Sequence, residues 1–323
     1  MRVEPRALLI EPTTHPSVGT NIQGPSLVRV PDFVTDRLGT YYLYFADHKG
    51  DHIRLAFADE LEGPWTVHPG GALALADSHF LTAEPPVDQA TVDATAELYV
   101  AALGADKMPD DVASDMVTPH IASPDVVVDE QRREFVMYFH GLDAFATQRT
   151  RTARSSDGVG FTADPDITVD QTYLRVFDVD GVRYGIAMPG QTYWFDTAGG
   201  RVVAGQRLFE PDMRHCGLRM RPGEVLEVFW TRVGDEPEQI LCSMVDLSGG
   251  FGHWRVTGTE AVHAPQLDWE GAGLPLAPSR RGALAAPAHQ LRDPFVFEDT
   301  DGASYLLYAV AGESGIGLAR LLD

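Results

Sequence analysis

The sequence has two cysteines, Cys216 and Cys242, and two lysines, Lys49 and Lys107. Two thiols cannot staple a secreted disulfide scaffold, so the expectation is a pair of reduced, buried side chains. No apolar run approaches the roughly 18 residues that a spanning helix requires, which excludes a helical membrane anchor. The opening stretch Met1 to Ile10 has charges interspersed in a short apolar run and does not read as a secretory leader, so a cytoplasmic location is expected. Basic charge is scarce, with 25 Lys and Arg against 47 Asp and Glu and a net charge of −22. Nucleic acid and anionic membrane both need a basic surface, and neither is expected as a partner. A dinucleotide-binding or phosphate loop is missing too, because Gly312-Glu-Ser-Gly-Ile-Gly317 leads into a final strand and not a helix.

What is present is a recurring pair of strands. His120-Ile-Ala-Ser-Pro-Asp125-Val-Val-Val precedes Glu134-Phe-Val-Met-Tyr-Phe-His140. Asn21-Ile-Gln-Gly-Pro-Ser-Leu-Val precedes Tyr41-Tyr-Leu-Tyr-Phe45, and Leu291-Arg-Asp-Pro-Phe-Val-Phe297 precedes Ser304-Tyr-Leu-Leu-Tyr-Ala309. Each unit joins a polar, proline-marked start to an apolar strand, a turn and an aromatic strand, which is how a propeller blade reads. Two further units start near Tyr173 and Met213, giving five repeats of about four antiparallel strands. The fold class expected is an all-β, five-bladed β-propeller. A chain of 323 residues can hold two average domains, but propellers of this size fold as one, so residues 1–323 are read as a single domain. Two stretches break the rhythm, near 68–119, where Asp93 to Leu103 has helical spacing, and near 262–290, rich in Pro, Gly and Ala. Ala7-Leu-Leu-Ile10 is placed to pair with Ile316 to Leu321 and close the ring.

In a propeller the first strand of each blade lines the axis, so polar residues at those strand starts converge. This selects Asn21, His120, Asp125, Arg175, Glu210, Arg214, His215, Arg292 and Asp293. His48 and His140 follow or end second strands and reach the same face through loops. Arg214 and His215 are adjacent, and adjacent residues on a strand face opposite ways; both reach inward only if a turn intervenes. Arg175, Arg214 and Arg292 would form a basic floor suited to an anionic sugar, since a guanidinium grips planar oxyanions in two places.

The repeat number, Ser123-Pro-Asp125-Val, Glu210-Pro211 and Arg292-Asp-Pro294 together resemble the family 43 glycoside hydrolases and their five-bladed relatives. The resemblance implies a glycoside hydrolase in which one aspartate is the base, a second tunes pKa and a glutamate is the general acid, each on a different blade. Residue by residue, Asp125 matches the tuning aspartate and Glu210 the acid. The chain departs from the pattern in its first repeat, where Asn21-Ile-Gln-Gly-Pro-Ser stands in place of the base-bearing Asp-Pro segment, so either Asp293 supplies the base from the fifth blade or the protein is not an ordinary inverting hydrolase. The substrate implied is a small or anionic glycan, acting without an obligatory cofactor. Some members carry an axial ion, and His120 and His215 are the candidate ligands for a divalent metal here. A metal-dependent lyase, hydrolase or isomerase using those histidines, or a sugar-binding propeller without catalysis, are the alternatives.

Overall fold

The computed structural model of the chain describes residues 1–196 and 200–323. Its first strand, β1 (Arg2–Ile10), is paired with the last in sequence, and between them run four consecutive meanders. Blade 1 is β2 (Gln23–Arg29), β3 (Tyr41–Ala46), β4 (His52–Ala58) and β5 (Thr66–Ala74). Blade 2 is β6 (Ile121–Asp129), β7 (Glu134–Ala144), β8 (Thr147–Ser155) and β9 (Thr162–Val169). Blade 3 is β10 (Arg175–Val179), β11 (Val182–Ala187), β12 (Gln191–Asp196) and β13 (Arg201–Arg207). Blade 4 is β14 (Met213–Arg221), β15 (Val225–Arg232), β16 (Ile240–Asp246) and β17 (Arg255–His263). Blade 5 is β18 (Arg292–Glu298), β19 (Ser304–Ala309) and β20 (Ile316–Leu322), completed by β1. The chain is therefore a five-bladed propeller with four antiparallel strands per blade. It is closed by Ala7 opposite Leu318, Leu8 opposite Gly317 and Ile10 opposite Ile316.

The aromatic second strands read as continuous apolar runs because each is covered on both faces. Every residue of β3, Tyr41 to Ala46, is buried. Apolar clusters fill the gaps between blades. Trp65 packs with Leu43, Phe45 and Leu307 between blades 1 and 5, and Trp254 packs with Phe177 and Trp230 between blades 3 and 4. Cys216 and Cys242 are free, buried thiols, each pushed up to about 12 by burial and so inert as thiolates.

The inner strands share one irregularity. Pairing register breaks between Gln23 and Ser26, Ala122 and Asp125, Met213 and Cys216, and Arg292 and Phe295. Gly24, Ser123 and Asp293 adopt left-handed φ of 63°, 50° and 52°, and each precedes a proline. Tyr173 does the same at 57° just before β10. A bulge of this kind re-aims a side chain out of the sheet. For a residue other than glycine it costs about 1–3 kcal/mol, which the surrounding blades must offset.

Two insertions interrupt the blades. β5 continues through Ala74 and β17 through His263, so the insertions begin slightly later than the composition change suggests. The first carries α1 (Gln89–Leu103) and α2 (Val112–Val117). α1 starts four residues before the expected Asp93, because the Asp88 side chain accepts the backbone N–H of Thr91 and caps the helix there. The second insertion spans 264–291. The two meet through Arg280 to Asp110 at 2.7 Å and the Arg281 N–H to the Lys107 carbonyl at 2.8 Å, while Lys107 also pairs with Asp212 on the β13–β14 connection. No described helix is long and apolar enough to cross a membrane.

Candidate active site

Gly24, Ser123, His215 and Asp293, at the register breaks of four inner strands, and Tyr173, just before the fifth, form a ring around the axis. A Cβ on Gly24 would lie 2.9 Å from the Ser123 Cα. The Tyr173 and His215 rings lie 3.5 Å apart, His215 Nδ1 is 2.9 Å from Asp293 Oδ1, and the Gly24 N–H donates to Asp293 Oδ2 at 3.3 Å. At 2.9 Å two lone pairs would repel, so the proton belongs on His215 Nδ1, although its N–H is not aligned on the oxygen. Gly24 thus lets blade 1 approach Ser123 of blade 2, and its N–H faces the carboxylate that blade 5 supplies.

Two residues further along, the axis is plugged by Arg175. It donates Nη2 to the Pro25 carbonyl of blade 1 at 2.9 Å, Nη1 to the Pro124 carbonyl of blade 2 at 2.7 Å, and Nε to the Cys216 carbonyl of blade 4 at 3.1 Å. Its guanidinium also stands 5.0 Å over the Phe295 ring of blade 5. One side chain from blade 3 therefore touches all four other blades.

Above the ring lies a cavity of about 140 Å³, lined by residues that include His48, Asp115, Tyr173, Arg214, His215, Arg281, Asp293 and Glu313. At ~30 Å³ per water this is room for about five waters, or one sugar ring. Both insertions roof it: Asp115 comes from α2, and Arg281 with Gly282 from the second insertion. A wider groove of about 510 Å³ near Met1 and Cys242 lies on outer strands, away from the axis.

The three cavity carboxylates differ. Glu313 accepts from Asn21 at 2.6 Å, Leu284 N–H at 3.1 Å and Arg292 at 3.1 Å, with His48 Nδ1 at 3.2 Å. Burial opposes its charge, but His48, Arg292 and Asn21 outweigh it and hold the carboxyl far below the ordinary range. Asp293 is likewise opposed by burial and drawn down by His215 and Arg292, so it is ionised. Asp115 is 2.8 Å from Lys49. Among the imidazoles, His48 is raised because Glu313 outweighs its burial, whereas burial lowers His120, His140 and His215.

The residues expected at the site fall into three groups. Arg214, His215, Asp293 and His48 line the cavity, and the β14 register break lets adjacent Arg214 and His215 both reach it. Arg292, His120 and His140 are buried close by, and Asn21 partly so. Asn21 and Arg292 hold Glu313, and the His140 ring makes edge-on contacts with Tyr173 at 4.2 Å and His120 at 6.0 Å. Asp125, Arg175 and Glu210 are not part of the cavity lining. Asp125 accepts from Arg175 at 3.1 Å and from the Val176 N–H at 2.9 Å between blades 2 and 3. Glu210 is half exposed and ion-paired to Arg232 at 2.6 Å. For a metal, His120 donates Nδ1 to the Thr118 carbonyl at 2.8 Å, while His215 faces Asp293. Among the described residues no group of three or more His, Cys, Asp or Glu side chains is arranged to hold an ion.

Sequence reasoning missed Asp115, Tyr173, Arg281, Glu238 and Glu313. Glu238 is fully buried, 2.8 Å from Arg214 Nε and 3.4 Å from Arg292 Nε. Glu238 and Glu313 both lie in turns that follow second strands, as His48 does, so the loop argument that selected His48 could have found them.

Comparison with solved structures gives the same architecture. A GH43 β-xylosidase/α-arabinofuranosidase from a compost microbial metagenome, in complex with xylotriose, matches with a TM-score of 0.56 at 13% identity over 99% of this chain and 96% of its own. An exo-β-1,3-galactanase from Phanerochaete chrysosporium, with galactose, matches at 0.59 and 11% identity over 100% and 65%. An endo-arabinase from Bacteroides thetaiotaomicron matches at 0.55 and 12% identity over 98% of both chains. The fold is that of the family 43 glycoside hydrolases; at such identities the likeness speaks for the fold alone. No protein-family profile matches the chain. An uncharacterized protein of Acanthamoeba polyphaga mimivirus is 32% identical over 327 residues, 93% of this chain and 83% of its own length. The chain belongs to the same family as that mimivirus protein.

Proposed function

We propose that the chain is a carbohydrate-active enzyme, a glycoside hydrolase that cleaves a glycosidic bond in the axial cavity, with Asp293 activating water. The observation that carries this reading is a carboxylate, bulged out of an inner strand onto the axis, that lines a roofed cavity of about 140 Å³. The enzymes that share the fold act on xylans, arabinans and galactans, according to their names. Hydrolysis needs a second carboxyl to protonate the leaving oxygen. Glu313 is held by four donors, and Asp115 on the roofing helix, paired through Oδ1 with Lys49, is the cavity carboxyl proposed for that role. A small substrate is favoured by the roof the two insertions form, and a cytoplasmic setting accords with two reduced, buried thiols.

A panel of oligosaccharides and aryl glycosides tests the reading through release of reducing sugar or phenol. Asp115→Asn is expected to lose turnover of oligosaccharides while retaining much of it on aryl glycosides, whose leaving groups need no proton. Equal loss on both substrates removes Asp115 from the acid role. If the wild-type chain binds sugars but hydrolyses none, it is a sugar-binding propeller.

A further inference from the structure

Hydrogen-bond capacity in the cavity is unevenly spent. Its carboxylate oxygens are largely occupied: Glu313 by Asn21, Arg292, His48 and the Leu284 N–H, Asp293 by His215 and the Gly24 N–H, and Asp115 Oδ1 by Lys49. Its donors are not. Arg214 uses Nη2 on the Arg280 carbonyl and lies 2.8 Å from Glu238 through Nε, without an aligned bond. Arg281 uses Nη2 on the Pro211 carbonyl at 3.0 Å and on Asp212 at 2.8 Å, and its Nε is buried without a partner. Neither Nη1 and not the Tyr173 hydroxyl makes a hydrogen bond among the described residues, and all three side chains line the cavity. Each hydroxyl of a neutral sugar also brings a donor that needs an acceptor of its own, whereas an oxyanion brings acceptors only. Guanidinium groups match it in geometry as well as in charge.

We propose that the cavity takes a sugar unit carrying an oxyanion, a carboxylate or a phosphate, held between Arg214 of blade 4 and Arg281 of the second insertion. This rests on the glycosidase reading for the sugar, though not for the anion. Because the two arginines come from a fixed blade and from the roof, the anion would also fasten the roof to the ring.

Titration calorimetry with glucose, glucuronic acid, glucose 6-phosphate and inorganic phosphate tests it on the intact chain. Glucuronic acid or glucose 6-phosphate is expected to bind at least tenfold more tightly than glucose, and the winner identifies the source of the oxyanion. Arg281→Gln, a roof substitution that leaves the buried Glu238 contacts intact, is expected to abolish that preference with little change in thermal midpoint. Equal binding of glucose and the charged sugars overturns the proposal and leaves the glycan reading standing. Binding of inorganic phosphate with no sugar upholds the anion site and removes the glycan. No binding by any of the four overturns the proposal.

Discussion

Asp125 and Asp293 occupy inner strands of blades 2 and 5 on matching turns, Ser123-Pro124-Asp125 and Asp293-Pro294-Phe295. Asp293 precedes its proline and is the bulged residue, whereas Asp125 follows its proline and lies in the regular strand. That offset separates their fates. The bulge aims Asp293 into the cavity beside His215, and Ser123 takes the equivalent place in blade 2. Asp125 meets the Arg175 plug instead. The environments differ accordingly: burial dominates at Asp125 and raises its pKa despite Arg175, while His215 and Arg292 draw Asp293 below the ordinary range. A proline-aspartate pairing therefore marks an inner strand, and the side of the proline on which the aspartate stands separates a site carboxylate from a structural one.

The sharpest way to break the comparison is Asp293→Asn. If Asp293 is the base, turnover on a glycan substrate falls by about 10²- to 10⁴-fold, the range general acid–base groups supply. The amide still accepts the Gly24 N–H, so the fold should hold. Turnover within tenfold of wild type assigns the base elsewhere.

Next in size is Arg175→Met. It removes the plug shared by all five blades and strands Asp125 as a buried charge without its partner, a loss of roughly 3–5 kcal/mol in unfolding free energy. Denaturant unfolding measures it; a loss below about 1 kcal/mol would mean that the plug is incidental. Asp125→Asn should cost less, roughly 1–3 kcal/mol, because no buried charge is stranded and the amide oxygen keeps one of the two donors, Arg175 on Oδ1 or the Val176 N–H on Oδ2. Activity per folded molecule should stay within twofold, the opposite of Asp293→Asn. The pH dependence follows the same division. A carboxyl depressed in the folded state, as at Asp293 and Glu313, contributes stability above its unfolded pKa that is lost as pH falls through the folded one. Asp125, raised on folding, has the opposite sign: its cost is present at neutral pH and fades in acid. Asp125→Asn should therefore be relatively more destabilising at acid pH, where the native carboxyl is neutral, than at pH 7.

The five blades were legible because each repeats a proline-marked strand and an aromatic one, and closure was legible in Ala7 to Ile10 and Ile316 to Leu321. Much of the ring was legible as well, since strand starts converge by topology. Less legible was which strand-start residue is bulged, because register is set between strands: Arg175 reads as a basic floor, yet its donors end on Pro25, Pro124 and Cys216 carbonyls from three other blades. The roof was not legible, since 264–291 has no period. Both lysines, however, turn out to fasten it, Lys49 to Asp115 and Lys107 to Asp212.

The smallest expected effect concerns Glu210, whose Glu-Pro context resembles the family's acid. Its carboxylate is about half exposed, held by Arg232 on the β13–β14 connection and outside the cavity lining. Exposed ion pairs contribute about 0–1 kcal/mol. Glu210→Gln is therefore expected to leave turnover within twofold and the thermal midpoint nearly unchanged. A hundredfold loss on oligosaccharides, with aryl glycosides spared, would return the acid role to Glu210. It would also require the connection that bears it to swing over the cavity when substrate binds, and Asp115 would then be part of the roof alone.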